Sequence, residues 1–190
     1  VALLVAAYKI DYGQPELLER GWKIIGRAPF DSNRKRMTVL VEHSQELSCR
    51  AMALSKGAPE PTLRACNGIL MEDGQVVPVN DERIAAIDKQ AGLMADLGLR
   101  VLGLAYAEVS EEQMRRFSPE DDNTIEFEQN LVFVGLAGLM DPPRAPVRKA
   151  VSVCHGAGIR VIMITGDHPR TALAIAKRLG IADQSVRDHQ

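Results

Sequence analysis

The chain is poor in aromatic side chains and in cysteine, it has no excess of one charge, and it lacks a long apolar run. Each shortage excludes something. Its cysteines, Cys49, Cys66 and Cys154, include no Cys-x-x-Cys pair, so they read as buried free thiols and not as a disulfide framework or zinc site. Four scattered histidines offer no pair at i, i+4 on a helix, so no metal site built on protein side chains is expected. The 23 basic and 25 acidic residues are well mixed, with a net charge of -2, which implies no basic face and no nucleic-acid partner. The longest apolar run, LVFVGLAGLM at 131–140, is half of what a membrane-crossing helix needs. No leader-type segment opens the chain, and a first residue of Val instead of Met suits a segment excised from a longer protein.

What is present is ordinary for a globular protein: 46% hydrophobic and 25% charged residues, in a chain long enough to bury a core. Apolar spacing predicts helices over 2–10 and 15–25, separated by a turn at Gly13. Met37, Val39 and Val41 then alternate with Thr38, Leu40 and Glu42, a strand pattern, and CRAMALSKG reads as its antiparallel partner. APEPTLRAC suits a short helix with Pro59 in its first turn. A longer helix runs from an Asn80 cap to Gly98, with Ile84, Ile87, Ala91 and Met94 on one face. LRVLGLAYAEV is a strand, SEEQMRRF a helix capped by Ser110, and the acidic stretch 118–129 a surface loop.

Beyond Asp141-Pro142-Pro143 the pattern becomes strand and helix in alternation. Pro146 starts a helix with Val147, Ala150, Val151 and Cys154 on one side. In GIRVIMITGDHPRTALAIAKRLGI, RVIMIT is apolar on both faces, as in a parallel strand covered by helices. Pro169 suits the first position of the next helix and Gly180 the position after its end. The expected class is α+β: a largely antiparallel sheet flanked by helices over 1–140, a stiff diproline hinge at 141–144, and an incomplete Rossmann-like α/β piece over 145–190. Such a piece lacks its neighbouring strands. The orphan strand near 159–165 is expected to be poorly ordered or to be stabilised by self-association.

Four places carry candidate chemistry. Lys56-Gly57 stands where a strand gives way to a helix. The glycine allows close approach and the lysine can meet a phosphate or a ring edge, although on local physics alone a solvated lysine at an ordinary turn is the simpler reading. Phe30 lies beside a polar turn and three cations, Arg34, Lys35 and Arg36. It can stack on a base, or it can anchor the hairpin in the core. Arg100 is a phosphate donor or a rim arginine. Thr165-Gly166-Asp167 lies at the carboxyl end of the supposed strand and before a helix, where doubly wound folds take phosphate; Asp167 can instead cap the helix or bond nearby loops. There is no Gly-x-x-x-x-Gly-Lys-Ser/Thr, and GAGIRV precedes its strand, so neither a P-loop nor a dinucleotide fingerprint is present.

Taken in order, PFDSNRKRM, KGAPE, LRVLGLAYAEV, GLMDPPR and GIRVIMITGDHPRTA resemble the cytoplasmic nucleotide-binding region of P-type cation-transporting ATPases, with a leaning to calcium-pump-like, type II members. The resemblance covers nearly the whole chain. It implies that Phe30 stacks on adenine, that Lys35, Lys56 and Gly57 line the adenosine pocket, and that Arg100 reaches the phosphates of ATP. It makes Asp141 part of the hinge, and Thr165, Gly166 and Asp167 the loop that binds the transferred phosphoryl group. ATP with Mg2+ is the implied ligand, the membrane and actuator domains of the same polypeptide are the implied partners, and the cytoplasmic face of a membrane is the implied location. The family's Asp-Lys-Thr-Gly-Thr nucleophile and its Gly-Asp-Gly-x-Asn-Asp magnesium loop do not occur in this chain. It is therefore expected to bind ATP weakly and not to turn it over. A haloacid-dehalogenase-type phosphatase would need an Asp-x-Asp nucleophile, also absent, and a stand-alone nucleotide-binding module would need a self-contained fold.

Overall fold

Alternating side chains over 22–31, 36–43 and 51–57 build one wing of a sheet, and apolar spacing with a helical period builds the helices around it. The computed structural model describes residues 2–44, 51–117, 123–140 and 142–186. They group into two units: Val1–Ile84 with Leu102–Ala137, and Ala85–Val101 with Gly138–Gln190.

Two short helices open the chain, α1 (Ala2–Tyr8) and α2 (Gln14–Glu19), on either side of Gly13. Neither buries a residue. The helix expected over 15–25 stops early, because Gly21 takes φ 95°, a conformation that side chains resist and that turns the chain out of the helix. Trp22 to Ile25 instead begin the strand β1 (Trp22–Asp31). β2 (Arg36–His43) and β3 (Ala51–Gly57) follow, antiparallel as expected. α3 (Pro59–Arg64) has Pro59 at its start. Two short strands not foreseen from the sequence, β4 (Cys66–Leu70) and β5 (Val76–Pro78), pair across a turn at Gly74. α4 (Asp81–Asp96) is capped by Asn80, whose Oδ1 accepts from the Arg83 N–H at 2.9 Å. β6 (Arg100–Val109) leads into α5 (Glu111–Arg116), where Ser110 and Gln113 close a reciprocal capping box. β7 (Leu131–Leu139) completes a seven-stranded sheet of order β1-β2-β3-β6-β7-β4-β5. β4 and β7 pair in parallel, whereas β1–β2, β2–β3, β3–β6 and β4–β5 are antiparallel. The α+β class read from the sequence is the class found.

Period two sorts β2, β3 and β6 into two faces. On one face Leu40, Ala51, Ala53 and Val109 are buried under Phe127, with Met114 and Phe117 packed against them. Phe127 ends a short 3-10 turn (Asn123–Phe127), and its ring meets that of Phe117 edge to face at 5.9 Å between centroids. The reading of 118–129 as an acidic surface loop is corrected here. Residues 118–122 lie outside the described residues, but Thr124 and Phe127 are buried, and the Glu128 carboxylate is only 2% exposed. An acidic run looks solvated until its aromatic neighbour is needed to cover a sheet.

Burial of Glu128 is matched by donors. Arg34 Nη1 approaches its two oxygens at 2.5 and 2.6 Å, Arg36 Nε donates at 3.0 Å, and the Thr38 hydroxyl donates at 2.7 Å. The Thr38 oxygen also lies 3.0 Å from that of Ser55. Both hydroxyls are buried, as the alternation of β2 and β3 requires. This is a paired and hydrogen-bonded buried charge, the form in which burial is tolerated.

In the second unit, α6 (Val147–Gly156) and α7 (Pro169–Leu179) appear where predicted, with Val151 buried and Gly180 closing α7 in the left-handed conformation. α7 is tied to the end of α4 and the turn after it. Arg170 pairs with Asp96, the Thr171 hydroxyl donates to the Leu99 carbonyl at 2.9 Å, and Arg178 donates to the Leu97 carbonyl at 2.6 Å. The strand expected at 159–165 is not formed. Those residues run between α6 and α7 without a strand partner, and Ile162 and Ile164 are 71% and 93% exposed. No separate Rossmann-like piece is therefore present among the described residues. Apolar strand character cannot become sheet without a neighbour to supply hydrogen bonds.

Two outcomes follow from the burial just described. Glu128→Ala should lower stability by about 3 kcal/mol in chemical denaturation, the low end for breaking a buried pair, because Arg34 and Arg36 both reach water. Cys66 donates to the Thr62 carbonyl, and burial pushes its thiol up to about 12 from an ordinary 9.0, against a smaller opposing pull from Arg36. The unfolded thiol ionises first, so this contribution to stability is intact below pH 9 and fades between pH 9 and 12. Native-state alkylation of Cys66 at pH 8.5 should be far slower than in denaturant, as followed by mass spectrometry.

Candidate functional site

The sheet face opposite the Phe127 core is open. Met37 and Val39 of β2, Leu54 and Lys56 of β3, and Leu104 and Tyr106 of β6 line a shallow hollow of about 490 Å³. That volume lies within the range of small-molecule sites. The floor is apolar, and the ammonium of Lys56 is the only cation among the lining residues. Such a surface accepts a flat ring against side chains and a negative group near the lysine.

Strand alternation aims Lys56 at this face. Its neighbours Ser55 and Gly57 are buried, and it stands opposite Met37 on one side and Leu104 on the other. Gly57 is required by close approach. A Cβ there would fall 2.4 Å from the Lys35 carbonyl oxygen and 2.5 Å from the Arg36 Cβ. The same carbonyl accepts from the Ala58 N–H at 2.9 Å, and the Lys35 N–H donates to the Asp31 carbonyl at 2.7 Å. Lys35 takes φ 52°, the left-handed residue of the β1–β2 turn. Asp31 shapes that turn by accepting from the backbone N–H groups of Asn33 and Arg34, both at 2.9 Å. Those bonds, that of Arg34 foremost, hold its carboxyl below the usual range.

Phe30 stands beside the same turn, 63% exposed, so it is not the core anchor that one reading of the sequence allowed. Phe30 and Lys35 thus flank a single hairpin, and the backbone of Lys35 touches the Lys56-Gly57 strand end. Lys56 lines the hollow, whereas Phe30 and Lys35 are not among its lining residues.

Arg100, Thr165, Gly166 and Asp167 belong to the second unit. Arg100 donates through Nε, at 3.1 Å, and through Nη2 to one oxygen of Asp167. The other oxygen accepts from the Thr165 hydroxyl at 3.1 Å, and the Asp167 N–H donates back to that hydroxyl at 3.1 Å. Three of the four residues therefore satisfy one another. A phosphoryl group would compete with Asp167 for both Arg100 and Thr165. The helix cap considered for Asp167 is made by His168 instead, whose ring nitrogen accepts from the Arg170 N–H at 3.3 Å. Asp141 lies outside the described residues. Glu128, which organises the hairpin from below, was missed in the sequence because its partners are more than ninety positions away. The signal was present only as three consecutive cations at the turn into β2, which need a counter-charge if any of them is buried.

Gly57→Ala should destabilise the chain by about 1–3 kcal/mol, the usual cost of forcing atoms into an occupied space, and a urea titration measures it.

Comparison with known proteins bears on these sites. The family model of the P-type ATPase cytoplasmic domain N matches residues 1–146. The alpha-3 subunit of the human sodium/potassium-transporting ATPase is 37% identical over 182 residues, 95% of this chain and 18% of that protein. The alpha subunit of the Hydra vulgaris sodium/potassium-transporting ATPase is 40% identical over 165 residues, 85% of this chain and 16% of that protein. A calcium-transporting ATPase of Bacillus subtilis (strain 168) is 36% identical over 184 residues, 97% of this chain and 19% of that protein. The chain thus spans less than a fifth of the length of these relatives. Sodium/potassium and calcium pumps match about equally, so the calcium type is not singled out. With an apolar sheet face, a lysine at the strand end and a matched segment that includes both, the chain belongs to the family of P-type ATPase cytoplasmic N domains, the nucleotide-binding part of cation-transporting pumps.

Proposed function

We propose that this chain holds the adenosine part of ATP on the open face of its sheet, within a P-type pump that couples ATP hydrolysis to cation transport. The observation that carries the reading is the apolar hollow with Lys56 at one end and the exposed Phe30 and left-handed Lys35 on the adjoining hairpin. The apolar floor accepts the purine, Phe30 stacks against it, and Lys35 and Lys56 meet its polar edge or the phosphates. When bound, ATP supplies the γ-phosphoryl group. The chain's own residues bind and orient it, and no carboxylate nucleophile of the family's kind is present.

The residues fit the adenosine better than the metal. Among the described residues no three His, Cys, Asp or Glu side chains converge as a metal site, so Mg2+ would be held by the phosphates and by groups beyond this chain. Arg100 and Thr165 are assigned to the phosphate end, where each must exchange Asp167 for a phosphoryl oxygen. We read 1–140 as the nucleotide-binding domain, 141–144 including Asp141 as the hinge, and 145–190 as part of a phosphorylation domain. The apolar residues around Ile162 and Ile164 are then covered by further strands of the same polypeptide, or by a second copy when the chain stands alone. No helix among the described residues is long and apolar enough to cross a membrane. The family match supports assigning the span to other parts of the pump and this segment to the cytoplasmic face. The calcium-pump-like assignment rests on KGAPE and FDSNRKRM alone.

Calorimetric titration of the chain with ATP should give saturable binding that Phe30→Ala and Lys56→Ala each weaken by about 1–3 kcal/mol, the range for one base stacked on an aromatic side chain. Absence of binding at several millimolar ATP, in a chain shown to be folded, would overturn the assignment.

A further inference from the structure

Phe30, Lys35 and Lys56 each sit next in sequence to a residue that Glu128 holds, directly or through one bond. Arg34 precedes Lys35 and Arg36 follows it, and both donate to Glu128. Arg34 also donates from Nη2 to the carbonyl of Pro29, at 2.8 Å, and Pro29 precedes Phe30. Thr38 links Glu128 to Ser55, which precedes Lys56. Arg36 Nη1 reaches the carbonyl of Pro61 in α3, at 3.1 Å, just beyond the Lys56-Gly57 strand end. β1, β2, β3 and α3 are thereby tied to one carboxylate from beneath, and strand alternation sends Lys56 to the other face.

We propose that Glu128 is a positioning residue for the nucleotide site: it sets the placement of Phe30, Lys35 and Lys56 through the residues beside them and does not touch the ligand. The inference rests on the adenosine reading above. It assigns a binding role to an acidic side chain which, by charge alone, should oppose ATP. That opposition makes the idea testable, because placement and charge predict opposite signs. Without the carboxylate, Arg34 and Arg36 become unneutralised cations under the site, and a purely electrostatic effect would tighten ATP binding. Lost placement would weaken it, and would weaken neutral adenosine by the same factor, since stacking does not depend on the phosphates.

The experiment is titration of the whole chain with ATP and with adenosine, comparing wild type with Glu128→Gln, which keeps the shape and one acceptor. Heteronuclear NMR spectra confirm that each variant is folded. Both ligands should bind about tenfold more weakly to Glu128→Gln, within the range that one stacked base contributes. Should that variant fail to fold, Arg34→Met cuts the link from Glu128 to the turn and to Pro29 at a partly exposed position. Placement then predicts equal weakening of ATP and adenosine, whereas simple loss of a cation weakens ATP alone. A folded Glu128→Gln that binds ATP as tightly as wild type or more tightly overturns the proposal. So does an Arg34→Met that affects ATP only. A wild-type chain that binds neither ligand overturns the adenosine reading as well, which separates the two failures.

Discussion

A single buried carboxylate constrains more of this chain than any other group. Glu128 is nearly inaccessible to water and meets its demand for hydrogen bonds with Arg34, Arg36 and Thr38. A buried charge is costly unless every partner is in place, so the network is close to all-or-none. Its members come from β2 and from the turns before β2 and β7, and its outer bonds reach Pro29 and Pro61. Hydrophobic contact alone would bring these segments near one another. The ion pairs select one arrangement of the hairpin among the many that would bury the same area.

The two faces of the sheet divide the labour. One carries Leu40, Ala53, Thr38 and Ser55 under Phe127 and Glu128, and it is closed. The other carries Met37, Leu54, Lys56 and Tyr106, and it is open. Strand geometry makes adjacent residues serve opposite faces, so the buried network and the lining of the open hollow share the same short segments. Gly57 adds a second constraint, since the hairpin backbone passes too close for any side chain. Lys56-Gly57 is thus a cation facing the open hollow followed by a steric necessity.

The second unit behaves differently. Its Thr165-Gly166-Asp167 turn satisfies its own hydrogen bonds with the help of Arg100, and α7 is anchored through Asp96, Leu97 and Leu99. Between α6 and α7 the chain forms no strand, and Ile159, Ile162 and Ile164 are exposed. Side-chain bonds to Asp96, Leu97, Leu99 and Arg100 hold α7 and the turn, whereas a parallel strand depends on backbone partners along its length.

Much of this was legible in the residue order. Period two gave away β2, strand-like runs gave away β3 and β6, period 3.6 with Asn80, Ser110, Pro169 and Gly180 gave away the main helices, and the resemblance carried by KGAPE and PFDSNRKRM pointed to a nucleotide site. Each of these signals is local, and its physics is complete within a few residues. Local signals misled where a longer-range term decided. Gly21 cut a plausible helix short, RVIMIT had strand character and no partner, and β4 and β5 were too short to register. By itself, then, the sequence determined most of the element types and the caps at Asn80, Ser110 and Gly180, because propensity and spacing act over a turn or a strand, and its motifs carried the resemblance to the family. Only the tertiary structure decided that Glu128 is buried beneath Arg34 and Arg36, that Arg100 is held by Asp167, and which sheet face stays open. Burial and charge pairing belong to segments distant in the chain, and no local pattern encodes them.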